Sequence, residues 1–154
     1  MIIGKFPNLR LRRSRKTNWS RRLIAENNLT PSDFILPIFL IDGKNKKEPI
    51  KSMPGVYRYT LDKLSHFVEK AINNRIPMVA LFPYTEKRKK NALGTEALNE
   101  DNLVCRAIQL IKKKYKNEIG IMTDVALDPY TSHGHDGLLK SGYVLNDETV
   151  EVLI

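Results

Sequence analysis

The chain has 154 residues, a formal charge of +9 at pH 7 and one cysteine. That length suits one domain with enough interior for a core; one cysteine excludes an internal disulfide framework and fits a reducing compartment; and no apolar run approaches the roughly 20 residues of a membrane span. The charge has the sign of a nucleic-acid binder, but it is unevenly spread. Residues 1–22 contain Lys5, Arg10, Arg12, Arg13, Arg15, Lys16, Arg21 and Arg22 and no Asp or Glu. Those eight taken from 26 leave 18 basic residues against 17 acidic ones, so the body of the chain is close to neutral. Residues 1–28 therefore read as a basic N-terminal arm and 29–154 as the folded body. The arginines follow the short Met1-Ile2-Ile3 group, the reverse of a signal peptide, and the expectation is a soluble cytoplasmic protein.

Within the arm, Asn18 to Asn27 is predicted as a short helix. Thr30-Pro31 has the form of an N-cap followed by proline at the first helical position. Phe34 to Ile41 is almost wholly apolar and reads as the first strand, with Pro37 a threat to unbroken ladder pairing. Met53-Pro54-Gly55-Val56 reads as a turn. Thr60 to Asn74 places Leu61, Leu64, Phe67, Val68, Ala71 and Ile72 on one helical face, with Thr60 as cap. Met78 to Phe82, closed by Pro83, is the continuous apolar run of a strand buried on both faces. Asn99 to Lys116 repeats the helical pattern, and acidic residues at its start with lysines at its end suit the helix dipole. Ile119 to Leu127 is the third strand. Asn146 or Asp147 reads as the N-cap of a last helix, whose apolar stripe begins with Val150, Leu153 and Ile154. Strands without polar alternation, separated by amphipathic helices, define an α/β class with a parallel sheet.

Thr123 to Gly137 mixes carboxylates, hydroxyls, imidazoles and glycines in a way scaffold elements seldom do. If the third strand runs to Leu127, alternation sends Val125 and Leu127 to one face and Asp124, Ala126 and Asp128 to the other. Asp124 inside an apolar strand requires a partner, either a substrate ammonium group or a neighbouring lysine. His133 and His135 lack a third nitrogen or sulfur ligand, which favours local hydrogen bonding over a metal site. Ser132, His133 and Asp136 are sequence neighbours and do not form a hydrolase triad. Cys105, on the predicted amphipathic helix, reads as a core thiol.

The wording of several segments carries more. Asp124-Val125-Ala126-Leu127-Asp128, Tyr130-Thr131-Ser132-His133-Gly134-His135 and Gly142-Tyr143-Val144-Leu145-Asn146-Asp147-Glu148-Thr149 resemble the porphobilinogen synthase, or delta-aminolevulinic acid dehydratase, family. So do Ser52-Met53-Pro54-Gly55-Val56-Tyr57-Arg58, Leu81-Phe82-Pro83 and Gly94-Thr95-Glu96-Ala97-Leu98-Asn99, in register from about Arg10 to Ile154. The resemblance implies a (β/α)8 TIM barrel that condenses two molecules of 5-aminolevulinate into porphobilinogen, on the route to haem. Such a barrel needs about 250 residues, so the chain is expected to hold about three of its eight strands, as an incomplete barrel.

The resemblance also implies site residues. Many family members carry cysteines at the positions of Ala126, Asp128 and Asp136, and those thiolates hold zinc. Carboxylates at two of these positions argue against zinc and favour Mg2+ with retained waters, or no metal, Asp128 and Asp136 being the candidate ligands. The bland alternative is an Asp capping a helix or turn. Asp124 becomes a supporting carboxylate at the barrel mouth, with Lys87 and Gly94 to Ala97 in a mouth loop. The family's two Schiff-base lysines belong to later strands, beyond Ile154, and Schiff-base chemistry needs a neutral amine. Lys44, Lys46, Lys47, Lys87, Lys89, Lys90 and Lys112 to Lys114 sit in hydrophilic clusters where water keeps them charged, so the chain alone is expected to be inactive. The arm corresponds to one that supports a homo-octamer in the family. The rival reading, a non-catalytic nucleic-acid-binding module, has only Phe6 and Trp19 as aromatics near the basic residues, against the interleaved stacking platforms of single-strand binders.

Overall fold

The computed structural model describes residues 4–154. It divides between Thr30 and Pro31 into two compact units. In the first, a 3-10 turn at Arg13–Arg15 precedes helix α1, Asn18–Leu23. Thr17 caps α1 through a capping box with Ser20, which meets two otherwise orphaned backbone donors. The helix stops short of the predicted Asn27. The Arg21 guanidinium folds back onto the Arg15 carbonyl at 2.9 Å and Asn18 Oδ1 at 2.8 Å.

In the second unit, strand β1 (Ile35–Ile41) pairs in parallel with β4 (Met78–Tyr84) over seven residues, from Ile35 opposite Met78 to Ile41 opposite Tyr84. Between them lie two short strands, β2 (Lys47–Pro49) and β3 (Tyr57–Tyr59), and helix α2 (Leu64–Asn73), which a 3-10 turn at Leu61–Lys63 introduces. Helix α3 (Leu103–Tyr115) follows β4 and leads to β5 (Gly120–Thr123). The sheet order is β2-β3-β1-β4-β5, parallel except for β2. A hairpin of β6 (Leu139–Lys140) and β7 (Tyr143–Val144) precedes helix α4, Asn146–Leu153. Among the described residues, no helix is long and apolar enough to cross a membrane. The predicted α/β class with a mostly parallel sheet is the observed one.

Pro37 does not interrupt β1. Strand β3 reaches only Phe39 and Leu40, so a proline nitrogen without hydrogen has an open flank to face. The two βαβ crossovers put α2 and α3 against one face of the sheet. There Ile38 and Leu40, Val79 and Leu81 meet Leu64, Val68 and Ala71 of α2 and Leu103, Ala107 and Ile111 of α3. Truncating one of these, as in Leu81→Ala, costs about 2–5 kcal/mol.

Four expectations need correction. The third strand ends at Thr123 rather than Leu127, opposite Leu81 of β4. Two residues beyond Leu81, Pro83 offers no N–H to continue the ladder. Asp124 and Val125 therefore leave the sheet; alternation fails, with Val125 69% exposed and Leu127 fully buried. Helix α3 starts after Asn102, whose side chain accepts the Cys105 N–H at 2.9 Å, while Asn99 is used in a turn with Asp101. Glu100 and Asp101 thus precede the helix. The Thr60 hydroxyl does not cap its helix but meets the Lys46 backbone N–H at 3.0 Å. Helix α4 is preceded by Leu145, since Asn146 turns its amide to the Asp147 carboxylate.

The other face of the sheet is less covered: Ile41 and Ala80 are buried there, but much of it is not. Phe39 and Phe82 stack at 5.4 Å, and Ile35, Phe82, Tyr84 and Met122 all remain exposed. Parallel sheets ordinarily have both faces covered, and an apolar face this continuous drives association. The chain alone is expected to show a weight-average mass that rises with concentration in sedimentation velocity, and Phe82→Lys with Met122→Lys is expected to suppress the rise. A concentration-independent monomer in the parent chain would contradict this.

Candidate functional site

Parallel pairing brings the C-terminal ends of β1, β4 and β5 to one edge, and each strand hands over there to a segment rich in polar groups. After β1 comes Asp42, which accepts from Arg106 of α3 at 2.5 Å and from Lys89 at 3.0 Å. Lys89 also pairs with Glu96 at 3.3 Å, so the 3-10 turns Lys87–Lys89 and Thr95–Leu98 are tied to β1 and α3. Burial pushes the Asp42 carboxyl up, but hydrogen bonds from Arg106 and Lys89 outweigh it and hold the group below its usual range. The bond to Asp42 holds the Lys89 ammonium above its usual range, opposite to what a Schiff-base amine needs.

The segments after β4 and β5 are stitched together by backbone. Asn91 accepts the Ser132 N–H at 2.9 Å and donates to the Tyr130 carbonyl at 3.3 Å. Gly94, at φ +62°, lies under Leu127 and Thr131, so this crossing needs a residue tolerant of the left-handed region. His133 has both ring nitrogens engaged locally: Nε2 lies 3.2 Å from the Ala92 carbonyl and Nδ1 accepts the His135 N–H at 3.2 Å. With those contacts in place the ring cannot also activate Ser132. Among the described residues, no three His, Cys, Asp or Glu side chains are grouped to hold a metal ion by themselves.

Buried Leu127 organises the acidic residues. Its carbonyl accepts from Tyr130 at 2.8 Å and Thr131 at 2.9 Å, and its N–H reaches the Asp136 carbonyl at 3.3 Å. The Thr131 hydroxyl donates to the His135 carbonyl at 3.0 Å, folding the loop back on itself. Thr149 of α4 fastens the far side, accepting from the Leu138 N–H at 3.0 Å and donating to the Leu145 carbonyl at 2.5 Å. Gly137 sits so close that an added Cβ would meet Thr149 Oγ1 at 2.6 Å. The result is a cleft of about 570 Å3 lined by Asp124, Asp128 and Asp136 together with Asn146 and Thr149.

The structure therefore brings the three predicted carboxylates to one cleft, though Asp124 and Asp128 lie beyond the strand on which they were predicted. Asp124 is exposed beyond the strand end, so burial does not oblige it to find a partner. Asp128 lies five residues past β5 and is half-buried. Burial, then Asp136 and then Asp124 push its carboxyl above the usual range, with Lys90 opposing. Cys105 is half-buried in a neighbouring cavity of about 340 Å3, beside Tyr130, whose hydroxyl burial first of all pushes up to about 12. Asp42, Lys89, Lys90 and Arg106 went unmarked as a group in the sequence; the one available signal was a carboxylate directly after a buried strand.

Two expectations follow, each checked by melts across pH. Asp128 has a raised folded value, so its ionisation destabilises the fold as pH climbs past the unfolded value near 3.9. Asp128→Asn is expected to melt higher than the parent at pH 7, and the gain is expected to vanish below about pH 4. Asp42 has a lowered folded value, so its contribution is present above the unfolded value and is lost as pH falls through the folded one. Asp42→Asn is expected to cost about 1 kcal/mol at pH 7, given partial solvent screening, and the difference is expected to shrink in strong acid.

An α/β scaffold of βαβ units with its polar groups gathered at the C-terminal edge of a parallel sheet defines the general class. Residues 8–154 match the family model for delta-aminolevulinic acid dehydratase, and the chain belongs to that family. It is 54% identical over 146 residues to the delta-aminolevulinic acid dehydratase of Bradyrhizobium diazoefficiens, covering 95% of this chain and 41% of that protein. The Chlamydia pneumoniae protein of the same name is 43% identical over 143 residues, covering 93% of this chain and 43% of its own. A crystal structure of the Toxoplasma gondii enzyme with its reaction product porphobilinogen superposes with a TM-score of 0.86 at 39% identity, over 94% of this chain and 41% of that one. The chain thus spans less than half the length of these relatives.

Proposed function

We propose that this chain is the N-terminal part of a porphobilinogen synthase barrel, with β1, β4 and β5 as its first barrel strands and residues 1–28 as an assembly arm. The observation that carries this reading is the joining of Asp124, Asp128 and Asp136 in one cleft at the C-terminal edge of the sheet, where barrel enzymes keep their sites. The completed enzyme would condense two 5-aminolevulinate molecules to porphobilinogen in the cytoplasm. In it Asp124, exposed at the mouth, would face the substrate ammonium. Asp128 and Asp136 offer only oxygen donors, which fit a hard cation such as Mg2+ that keeps most of its waters and do not fit zinc. When bound, such an ion would neutralise the repulsion within the cluster and supply positive charge at the mouth. Assembly as a homo-octamer through the arm is the partner reading. Arg21, committed to its own unit's backbone and Asn18, illustrates how part of the arm's charge serves local folding, which favours an assembly role over a nucleic-acid tail.

The chain by itself would be inactive in this reading. Schiff-base formation requires neutral lysines, and Lys89 and Lys114 are held in the charged form by Asp42 and Glu69 respectively. Incubation with 5-aminolevulinate and borohydride, followed by intact mass measurement, is expected to leave the chain unmodified. A stoichiometric adduct on any lysine would overturn the assignment.

A further inference from the structure

Residues 86–99, between β4 and α3, cross the C-terminal edge of the sheet as a strap that the core does not hold. Its ends are fixed, because Thr85 before it and Asn102 after it are buried. Within it Gly94 alone is buried, and Leu93 and Leu98 stand 61% and 62% exposed. A segment with so little buried apolar surface belongs to the low-stability end of a fold, and polar ties decide whether it stays closed. Among the described residues one ion pair leaves the strap, from Lys89 to Asp42, which Arg106 of α3 also holds.

The strap has ties of its own that stiffen it. Lys89 pairs with Glu96 at 3.3 Å. The Asn91 side chain accepts the Leu93 and Thr95 N–H groups at 3.0 and 3.3 Å and donates to the Thr95 hydroxyl at 2.6 Å. The same Asn91 bonds by its backbone to Tyr130 and Ser132, and the Ala92 carbonyl meets the His133 ring. A strap so braced carries the loop after β5 with it. Its last residues, Ala97 and Leu98, also wall the cavity of about 340 Å3 that Cys105 and Tyr130 line.

We propose that residues 86–99 form a lid that opens as one piece with residues 130–135, latched by the ion pair of Lys89 with Asp42, and that its opening gives access to the Cys105 cavity. Asp42 is thereby a positioning residue, acting on Ser132 and His133 through Lys89 and Asn91. An ion pair suits a latch because its half-buried charges fix the closed form and return to water at modest cost when it opens. An apolar clasp would expose hydrocarbon each time the lid moved.

The test is hydrogen exchange at pH 7, read by mass spectrometry on peptides covering residues 87–98 and 130–136, in the parent, Asp42→Asn, Lys89→Gln and Glu69→Gln. If opening breaks the latch, Asp42→Asn raises the free energy of the closed form but not of the open one, and both peptides are expected to exchange about tenfold faster. Lys89→Gln is expected to do the same. Glu69→Gln breaks the pair with Lys114 between α2 and α3, which opening of the lid leaves intact, so both peptides are expected to keep the parent rate. Unchanged rates in Asp42→Asn would mean a loop that opens with the latch still closed, and would overturn the proposal. Acceleration of residues 87–98 without 130–136 would overturn it too, as would equal acceleration by Glu69→Gln, the mark of exchange through global unfolding alone.

Cys105 reads the cavity. Lys89→Gln leaves Arg106 paired with Asp42, so faster labelling of the thiol by N-ethylmaleimide in this variant, the expected result, reports access and not a changed neighbouring charge. An unchanged labelling rate beside coupled exchange would overturn the access while upholding the latch.

Discussion

Everything at the candidate site depends on the seven-residue parallel pairing of β1 with β4. Antiparallel neighbours would have sent successive loops to opposite edges. Parallel pairing needs a crossover for each strand, and those crossovers are α2 and α3, whose apolar faces fill one side of the sheet. The same requirement leaves the segments after β1, β4 and β5 at one edge, where Lys89 reaches Asp42, Asn91 reaches Tyr130 and Ser132, and Lys90 reaches the Asp128 carbonyl. The core and the site are thus two consequences of one topology, and the partly exposed apolar face is a third.

The charges at that edge are sorted into two groups of opposite character. Around Asp42 each charge has an opposite within ion-pair distance, so the loops are tied down and the carboxyl stays ionised. Around Asp128 burial and the like charges of Asp136 and Asp124 push the carboxyl up against the opposing charge of Lys90, and the site carries electrostatic stress that is only partly relieved. Loops fixed by the first group hold the second group in place. Stress localised against a rigid support is how a fold keeps a binding cleft ready without collapsing it.

The core was legible because its signal is periodic: Leu64, Val68 and Ala71 at helical spacing, and unbroken apolar runs at β1 and β4, each matched their observed element. The end of β5 was not, because Asp124-Val125-Ala126 alternates convincingly and only the neighbouring strand's Pro83 tells where pairing stops. Strands β2 and β3 were missed because three residues carry no period. Thr60 was misread as a cap and Asn99 as a helix start, since their side chains serve distant or local backbone that propensity does not reveal. At the site, Asp124 and Asp128 were placed on one strand face and Asp128 with Asp136 as candidate ligands; the loop that gathers them was not readable, for it depends on Leu127, Thr131 and Thr149. The ion pairs of Asp42 join residues 47 and 64 positions apart, a separation at which no local pattern speaks.

Gly137 gives the loop a mechanical property of its own. Its Cα lies so near Val144 and Thr149 that one added carbon would meet them at 2.9 and 2.6 Å, although its backbone needs no left-handed conformation. The joint between the acidic loop and the hairpin and helix behind it therefore has no slack. A shift of α4 by even a fraction of an ångström passes into Asp136 instead of being absorbed, so the spacing of the cluster is geared to the seating of that helix.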